Sequence, residues 1–562
     1  EYFKNNGMVW KNEYIDLMTR KEPMFYSAVK SYACLSNTSI PTKKECYDEL
    51  SNSDMSDSDY NHLKLLWNTF NIKSWGSYYE LYNMLDVTLL ADAFEHFRDS
   101  TYSQFGVDAS HYLTTAQMSY SMFLKNISNN DLNRFDELSV KGAKYQEKIN
   151  KCEGNSVEKM EEIYKKRMNE FYQHGGVKLM QQSQIDNFMK LNNNLRGGLT
   201  QITQRHCEKS DDNSMYYLDA NNLYGGAMHR MMPYEIVDID DKELSKIQKQ
   251  DPEKWIKSLK TYDHFGYFIE CDIELPEHLH DYFNDLPLFP EQMFGQYSDY
   301  MKSFADMFSI DDLNNKKENV RKLVCTLNNK KNYVAHYTMI QLGLELGYRV
   351  TRINSVIKFR QAPFIYEYVS MLSEQRAKSK SSVLKNLYKL LANSIYGKFV
   401  ETGLKRVNIK VANTQCEQNS IMNKYTMEMI ENAHLYDDNI WVAKISRAKK
   451  SMTKPFYIGS AILDMSKYIV YDFFYNVLKK NFTSVDLLGQ DTDSLIVNIK
   501  ANNVAEKFCE LYKSFDFSEI DTTSYFYGVL VNYYNTKVNK SEFPSIESFV
   551  NYNKKVPGPI FK

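Results

Sequence analysis

Several signatures that would sort this chain quickly are missing from it. Its eight cysteines form no C-x-x-C pair and no zinc-ligand spacing, which argues against a disulfide framework or a zinc ribbon and leaves scattered, reduced thiols. No apolar run reaches the roughly 18 residues that a membrane helix needs, and no leader peptide is visible. The expectation is an intracellular protein with no membrane partner, in cytoplasm or nucleus. No internal repeat stands out. Positive charge is not in excess either: 69 Lys and Arg against 71 Asp and Glu give a net charge of −2. That balance does not announce a nucleic-acid binder, although a channel can confine positive charge to one surface while acid lies elsewhere.

What is present is length and apolar content. With 562 residues, 43% of them hydrophobic, the chain is too long for one core and suggests about three or four domains. Its most informative stretch is LLGQDTDSLIV, residues 487–497. Leu487 and Leu488 lead in and Leu495, Ile496 and Val497 lead out, so the segment reads as a tight hairpin with Asp491 and Asp493 at its tip. Two like charges this close are costly unless neutralised. A hard divalent cation such as Mg²⁺, which takes one or two carboxylates plus substrate phosphates, is the natural partner, and ordinary turn chemistry is the plainer alternative.

A second acidic position lies upstream in MYYLDANNLY, residues 215–224. An aromatic-rich strand breaks at Asp219, Asn221 and Asn222 offer helix caps, and Leu223 and Tyr224 begin a helix. An Asp that merely caps a helix is the simpler reading of this segment alone. Together with Asp491 and Asp493 it makes three carboxylates, enough to hold two metals for in-line phosphoryl transfer. The third piece is cationic. In LKNLYKLLANSIYGKF, residues 384–399, Leu384, Leu387, Leu391 and Ile395 form a buried stripe at helical spacing. Lys385, Lys389, Asn393 and Tyr396 line a neighbouring face, either solvated or suited to a nucleoside triphosphate, with lysines on phosphates and an aromatic ring under a base. Arg376, Lys378 and Lys380 lie just upstream and extend the cationic surface.

Three ordered segments, DANNLY, KLLANSIYG and DTDS, resemble motifs A, B and C of family B DNA polymerases. The resemblance implies that Asp219 is the first metal-binding aspartate and that Tyr224, beside Leu223, excludes the ribose 2′-OH. It makes Lys389, Asn393, Tyr396 and Gly397 the fingers motif, and Asp491 and Asp493 the motif C pair, the second the essential ligand. The implied cofactors are two Mg²⁺ ions, with Mn²⁺ as a substitute. The implied partners are a DNA template and primer with dNTPs, bound by a monomer. LRGG at 195–198 resembles the Tyr-x-Gly-Gly link of protein-primed members, and GYFIECDIELPEHL, NDLPLFPE and KPFYIGSAILDMSK resemble polymerases of the Polinton, viral and linear-plasmid type. Those enzymes start from a hydroxyl on a terminal protein. Arg196, Gly197, Gly198, Thr492, Ser494, Lys450 and Lys454 are the expected DNA contacts. In YELYNMLDVTLLADAFEHF, residues 79–97, Tyr82 and Asp86 share one helix face and resemble the third 3′–5′ exonuclease motif, Asp86 as metal ligand. The chain departs from the family pattern at Leu195, Asn222, Gly225 and Gly489, none of them a metal ligand.

The expected fold is therefore α+β, a multidomain right-hand polymerase with a mixed palm sheet and helical fingers, preceded by the C-terminal part of an RNase H-like exonuclease domain. The expected segments are an exonuclease part (1–125), a charged helical linker (126–178) and the first palm part (179–291). An insertion (292–362), the fingers (363–400) and a second insertion (401–450) follow, the two resembling terminal-protein regions. The second palm part (451–515) and the start of a thumb (516–562) complete the chain. Counterparts of the other exonuclease carboxylates and of a Lys-x-Tyr primer-gripping motif are not recognisable, which suggests a fragment with an incomplete exonuclease. Of two basic clusters, Lys316, Lys317, Arg321, Lys322, Lys330 and Lys331 read as a solvated helix face. Lys444, Arg447, Lys449, Lys450 and Lys454 read as contacts to duplex phosphates. SNSDMSDSD reads as a solvated turn and helix cap. Two rival readings stay open: a catalytically inactive DNA-binding remnant, and a polymerase that copies or makes RNA.

Overall fold

The structure, a computed structural model, describes the chain except for residues 1–13, 15–16, 19, 21–22, 129–139, 145–154, 209, 211–212, 295–302, 304–306, 308–320, 381, 403–406, 426–428, 438–439 and 447–451. It divides into two units, Glu1–Thr114 and Thr115–Lys562. In the first, helix α1 (Asp57–Thr69) starts at Ser56, whose side chain accepts the Asp59 N–H, with Asp57 and Asp59 in its first turn. The acidic run is thus a cap that also complements the helix dipole. Helix α2 (Trp75–Phe105) starts at Ser74 and ends at Gly106, whose φ of 62° lets the chain leave the helix without a Cβ clash. Phe25, Leu63, Leu66, Trp67, Trp75 and Tyr78 form the core between them.

In the second unit, four strands make the sheet that carries the acidic residues: β1 (Thr200–Ile202), β2 (Asn213–Asp219), β12 (Ser484–Asp491) and β13 (Ser494–Lys500), in the order β1-β12-β13-β2. Every ladder in it is antiparallel. The class is α+β as expected, but this sheet is antiparallel rather than mixed. Its centre is the β12–β13 hairpin, and the strand on either side runs against its neighbour. Leu487, Leu495, Val497 and Ile499 are completely buried. Leu495, Val497 and Ile499 share one face of β13, and a one-residue slip would turn that face away from the core.

A second four-stranded sheet has the order β3-β8-β4-β7, from β3 (Met232–Val237), β4 (Phe265–Glu274), β7 (Lys330–His336) and β8 (Arg349–Ala362). Strand β8 pairs with both β3 and β4, and α6 (Tyr337–Leu346) joins β7 to it. Residues 330–362 are therefore built into one sheet with residues 232–274. Strands β5 (Glu291–Phe294) and β6 (Arg321–Val324) form a separate antiparallel pair. Arg321 and Lys322 lie exposed on this strand, not on a helix. Lys330 is buried and donates to Glu291 at 2.7 Å, while Lys316 and Lys317 lie outside the described residues. Strands β9 (Val407–Ala412), β10 (Ile430–Asp437) and β11 (Ile440–Ser446) form a separate antiparallel sheet around Ala412, Trp441, Ala443 and Ile445.

Helices fill the rest. In α4 (Val157–Gln173), Met160, Tyr164, Met168 and Phe171 are buried at helical spacing, and the helix packs on β8. Arg167 donates to the Tyr262 carbonyl at 3.0 Å and pairs with Glu170 at 2.6 Å. This half of the expected linker is thus a docked helix. The helical fingers are α7 (Tyr366–Lys378) and α8 (Ser382–Phe399), which pack on each other and on α3 (Thr115–Ile127). Phe123 meets Tyr368 and Phe399 edge-on, and Ser119 donates to the Leu391 carbonyl at 2.7 Å.

Helix α9 (Phe456–Asp472) is buried along nearly its whole length and packs on α5 (Leu223–Met228), α6 and α8. It carries Asp464 and Lys467. The Asp464 carboxylate accepts the His336 N–H at 2.8 Å, and the Lys467 ammonium donates to the carbonyls of Arg196 and Leu463. Burial pulls the Lys467 pKa down to about 8, against the opposing pull of Asp464. Removing the Lys467 ammonium leaves the buried Arg196 and Leu463 carbonyls without their donor, so Lys467→Met should lose about 2 kcal/mol in urea denaturation. The sign of the pH effect follows from linkage. Lysine binds its proton less tightly folded than unfolded, so wild-type stability gains as pH rises from about 8 toward the ordinary lysine value. The variant should lack that gain.

Candidate active site

The two carboxylate segments meet because β13 pairs with β2 in a register that puts Ser494 opposite Asp219, and with β12 so that Ser494 is also opposite Asp491. Thr492 and Asp493 form the connection between the hairpin strands. The Asp493 N–H closes on the Asp491 carbonyl at 2.6 Å, and the Ala220 N–H donates to the Asp493 carbonyl at 2.8 Å. Burial first, and the neighbouring Asp219 charge second, push the Asp493 pKa above the ordinary carboxylate value, while Lys389 opposes them. Asp219 and Asp493 therefore form a paired-carboxylate site with a cation facing it.

Both line a cleft of about 430 Å³ together with Asn222, Leu223, Tyr224, Arg376, Lys389, Asn393, Tyr396 and Thr492. Asn222 has φ 44° and caps α5 by accepting the Gly225 N–H at 3.2 Å, which places Tyr224 in the first turn of the helix. The Tyr224 and Tyr396 rings are stacked, with centroids 4.7 Å apart and planes 16° from parallel. Burial, then proximity to Tyr396, pushes the Tyr224 hydroxyl up to about 12, so it stays protonated.

Other expected residues fall elsewhere. Asp491 does not line the cleft. It is exposed, its carboxylate accepts the Thr200 hydroxyl at 2.8 Å, and its charge still adds to the upward push on Asp493. Lys385 is exposed one helical turn before Lys389, and Ser494 is buried in the ladder. Arg196, expected at DNA, is only 7% exposed. Its guanidinium donates to the carbonyls of Val334 and Asn194 and lies 3.7 Å from the centroid of the Tyr333 ring, which fits an internal tie better than a phosphate contact. Lys454 sits 3.8 Å over the Tyr120 ring. Lys450, Arg447 and Lys449 lie outside the described residues. A Cβ at Gly197 or Gly397 would meet nothing within 4 Å, whereas one at Gly198 would collide with Thr492. In the first unit, Tyr82 and Asp86 are brought together on α2: the buried Tyr82 hydroxyl accepts from Tyr26 at 2.8 Å and bonds the exposed Asp86.

Sequence reasoning missed one wall of the cleft. Glu519, Lys555, Pro557 and Lys562 line it. The Lys562 backbone exchanges hydrogen bonds of 3.0 and 2.9 Å with Asp219, and its ammonium lies 4.0 Å from the Asp219 carboxylate and 3.5 Å from Glu519. Asp516 holds this segment, accepting from the Asn221 side chain and the Lys555 N–H at 2.8 Å each. Gly226 and Gly558 approach so closely that a Cβ at 226 would overlap the Gly558 backbone. The PGP run was the available signal for a rigid, closely packed terminal segment.

Among the described residues no three His, Cys, Asp or Glu side chains converge as a ready-made metal cage. Two carboxylate ligands with phosphate oxygens completing the shell is the arrangement Mg²⁺ favours, so Asp219 and Asp493 fit that ion. No helix of the described residues is long and apolar enough to cross a membrane.

A palm sheet with a carboxylate pair, faced by helical fingers that present Lys389, Asn393 and Tyr396, defines a right-hand polymerase. The chain belongs to the family of type B DNA polymerases, organellar and viral, whose family model matches residues 17–478. Among solved structures it is similar to Phi29 DNA polymerase in an orthorhombic crystal form, at 14% identity and TM-score 0.36, over 81% of this chain and 56% of that one. It is also similar to Phi29 DNA polymerase complexed with primer-template DNA and incoming nucleotide substrates, at 14% identity and TM-score 0.38, over 86% and 60%. The chain thus spans little more than half the length of these structures. No curated protein matches it.

Proposed function

We propose that the chain is a DNA-directed DNA polymerase that adds dNMP units from dNTPs to a primer 3′-OH on a DNA template, in protein-primed replication of a viral or mobile-element linear DNA. The observation that carries this reading is the single cleft in which Asp219, Asp493, Tyr224, Arg376, Lys389, Asn393 and Tyr396 converge. The primer hydroxyl attacks the α-phosphate and pyrophosphate leaves. Asp219 and Asp493 would hold Mg²⁺, two ions once primer and triphosphate are bound, which would neutralise charge on the attacking and leaving oxygens. Lys389 and Arg376 bind the triphosphate oxygens, with Lys385 extending the positive field at the rim. Asn393 and Tyr396 border the base, and Gly397 leaves the helix bare on that side. Tyr224 closes the space beside the sugar C2′. Asp491 supports the turn from outside the cleft. Tyr82 and Asp86 belong to the exonuclease helix. The LRGG segment and the residues between the motifs support a terminal-protein hydroxyl as the starting primer.

The test is extension of a labelled DNA primer on a DNA template with Mg²⁺ and dNTPs, alongside the Asp491→Ala/Asp493→Ala double variant. Extension by the wild type and none by the double variant is the expected result. Template binding without extension by the wild type means a non-catalytic DNA-binding protein, and extension only with an RNA template or rNTPs means another polymerase class.

A further inference from the structure

We propose that residues 198–200, Gly-Leu-Thr, are a seat that positions the catalytic turn 491–493, and that Gly198 is glycine because Thr492 occupies the space of its Cβ. The proposal rests on the reading of Asp219 and Asp493 as the catalytic pair and deepens it. Strand β1 is the edge of the palm sheet, with Thr200 in register with Asp491. Two hydrogen bonds run to the turn from Thr200 and from Leu199 just before the strand, and a third constraint comes from the lack of space at Gly198. The Leu199 carbonyl accepts the Thr492 N–H at 2.8 Å. The Thr200 hydroxyl donates to the Asp491 carboxylate at 2.8 Å. A Cβ at position 198 would fall 2.6 Å from Thr492 Cγ2 and 2.9 Å from its Cβ, with the hydroxyl oxygen nearer still.

Thr492 cannot easily give way. Its φ is 54°, a left-handed conformation that a β-branched residue avoids and that persists only when the surroundings hold it. Its short side chain has no flexible end to swing aside. A displaced Thr492 takes the next residue with it, and Asp493 is tied by its carbonyl to Ala220, directly after Asp219. The spacing of the two carboxylates is therefore set from the far edge of the sheet. Gly197, the other glycine of LRGG, has open space where its Cβ would be, so the protein itself demands only the second glycine.

The test uses the full chain and four proteins: wild type, Gly198→Ala, Thr492→Gly and the double variant. Mn²⁺ affinity of each DNA-free protein is measured by electron paramagnetic resonance. Incorporation kcat, KM for dNTP, Kd for primer-template and melting temperature are measured beside it. Gly198→Ala is expected to weaken Mn²⁺ binding several-fold and lower kcat at least tenfold, with KM and DNA Kd within about twofold of wild type. In the double variant the obstructing side chain is gone, so its Mn²⁺ affinity and kcat should equal those of Thr492→Gly alone. Wild-type Mn²⁺ affinity in Gly198→Ala overturns the proposal. So does weakened DNA binding that Thr492→Gly fails to correct, which would make Gly198 a DNA contact. If Gly198→Ala does not fold, Thr200→Val and Thr200→Ser replace it: Val should weaken Mn²⁺ binding and Ser should not, and equal affinities overturn the seat. If the wild type extends no primer, the polymerase reading fails, and the Mn²⁺ comparison alone decides the seat.

Discussion

Asp493→Asn should abolish primer extension, lowering incorporation by at least about 10³-fold, or ~4 kcal/mol of transition-state stabilisation, while leaving primer-template affinity close to wild type. The size follows from the place of Asp493. It is half-buried beside Asp219, and those two carboxylates are the acidic groups of motifs A and C that reach the cleft. Asparagine keeps the shape and removes the charge, so a metal held by both groups loses half of its anionic ligation. The same substitution should not harm the fold. Burial and the Asp219 charge raise the Asp493 pKa, which means that its ionised form opposes folding at neutral pH without metal. The variant should therefore melt at or above the wild-type temperature in EDTA, and Mg²⁺ should raise the melting temperature of the wild type only. Extension at wild-type rate by Asp493→Asn would refute the assignment. Asp491→Asn offers the contrast: because its carboxylate bonds Thr200 outside the cleft, it should cost less than Asp493→Asn in the same assay.

Tyr224→Ala should admit ribonucleotides, lowering the preference for dNTP over rNTP by about 10²-fold. The ring is held in place by stacking on Tyr396, 4.7 Å between centroids, and by its helix, which begins at the Asn222 cap. Rejection of one extra hydroxyl by shape needs a wall that does not move, and a ring fixed from the fingers side provides one. Competing incorporation of dCTP and rCTP opposite template G measures it. Unchanged sugar discrimination in the variant would assign the gate elsewhere. Tyr396→Ala should produce a weaker relaxation, because Tyr224 keeps its helix but loses the ring that steadies it.

The chemistry of this chain was legible locally and its geometry was not. The hairpin of 487–497, the capped break after Asp219 and the apolar stripe of 384–399 each follow from spacing within one element, because alternation and helical periodicity are properties of a single segment. Their order along the chain was enough to point to motifs A, B and C. The sequence by itself thus determined the α+β class, the family and the residue types of the cleft. Only the tertiary structure decided which residues share a surface. It turned Asp491 toward Thr200, placed Arg196 against Tyr333 inside the protein, and wove residues 330–362 into one sheet with 232–274. It also brought Lys555 and Lys562 into the lining of the cleft. The physical reason is common to all four. Which side of a turn a carboxylate faces, and which distant strand fills a sheet position, depend on contacts between segments far apart in the chain. No periodicity within either segment encodes them.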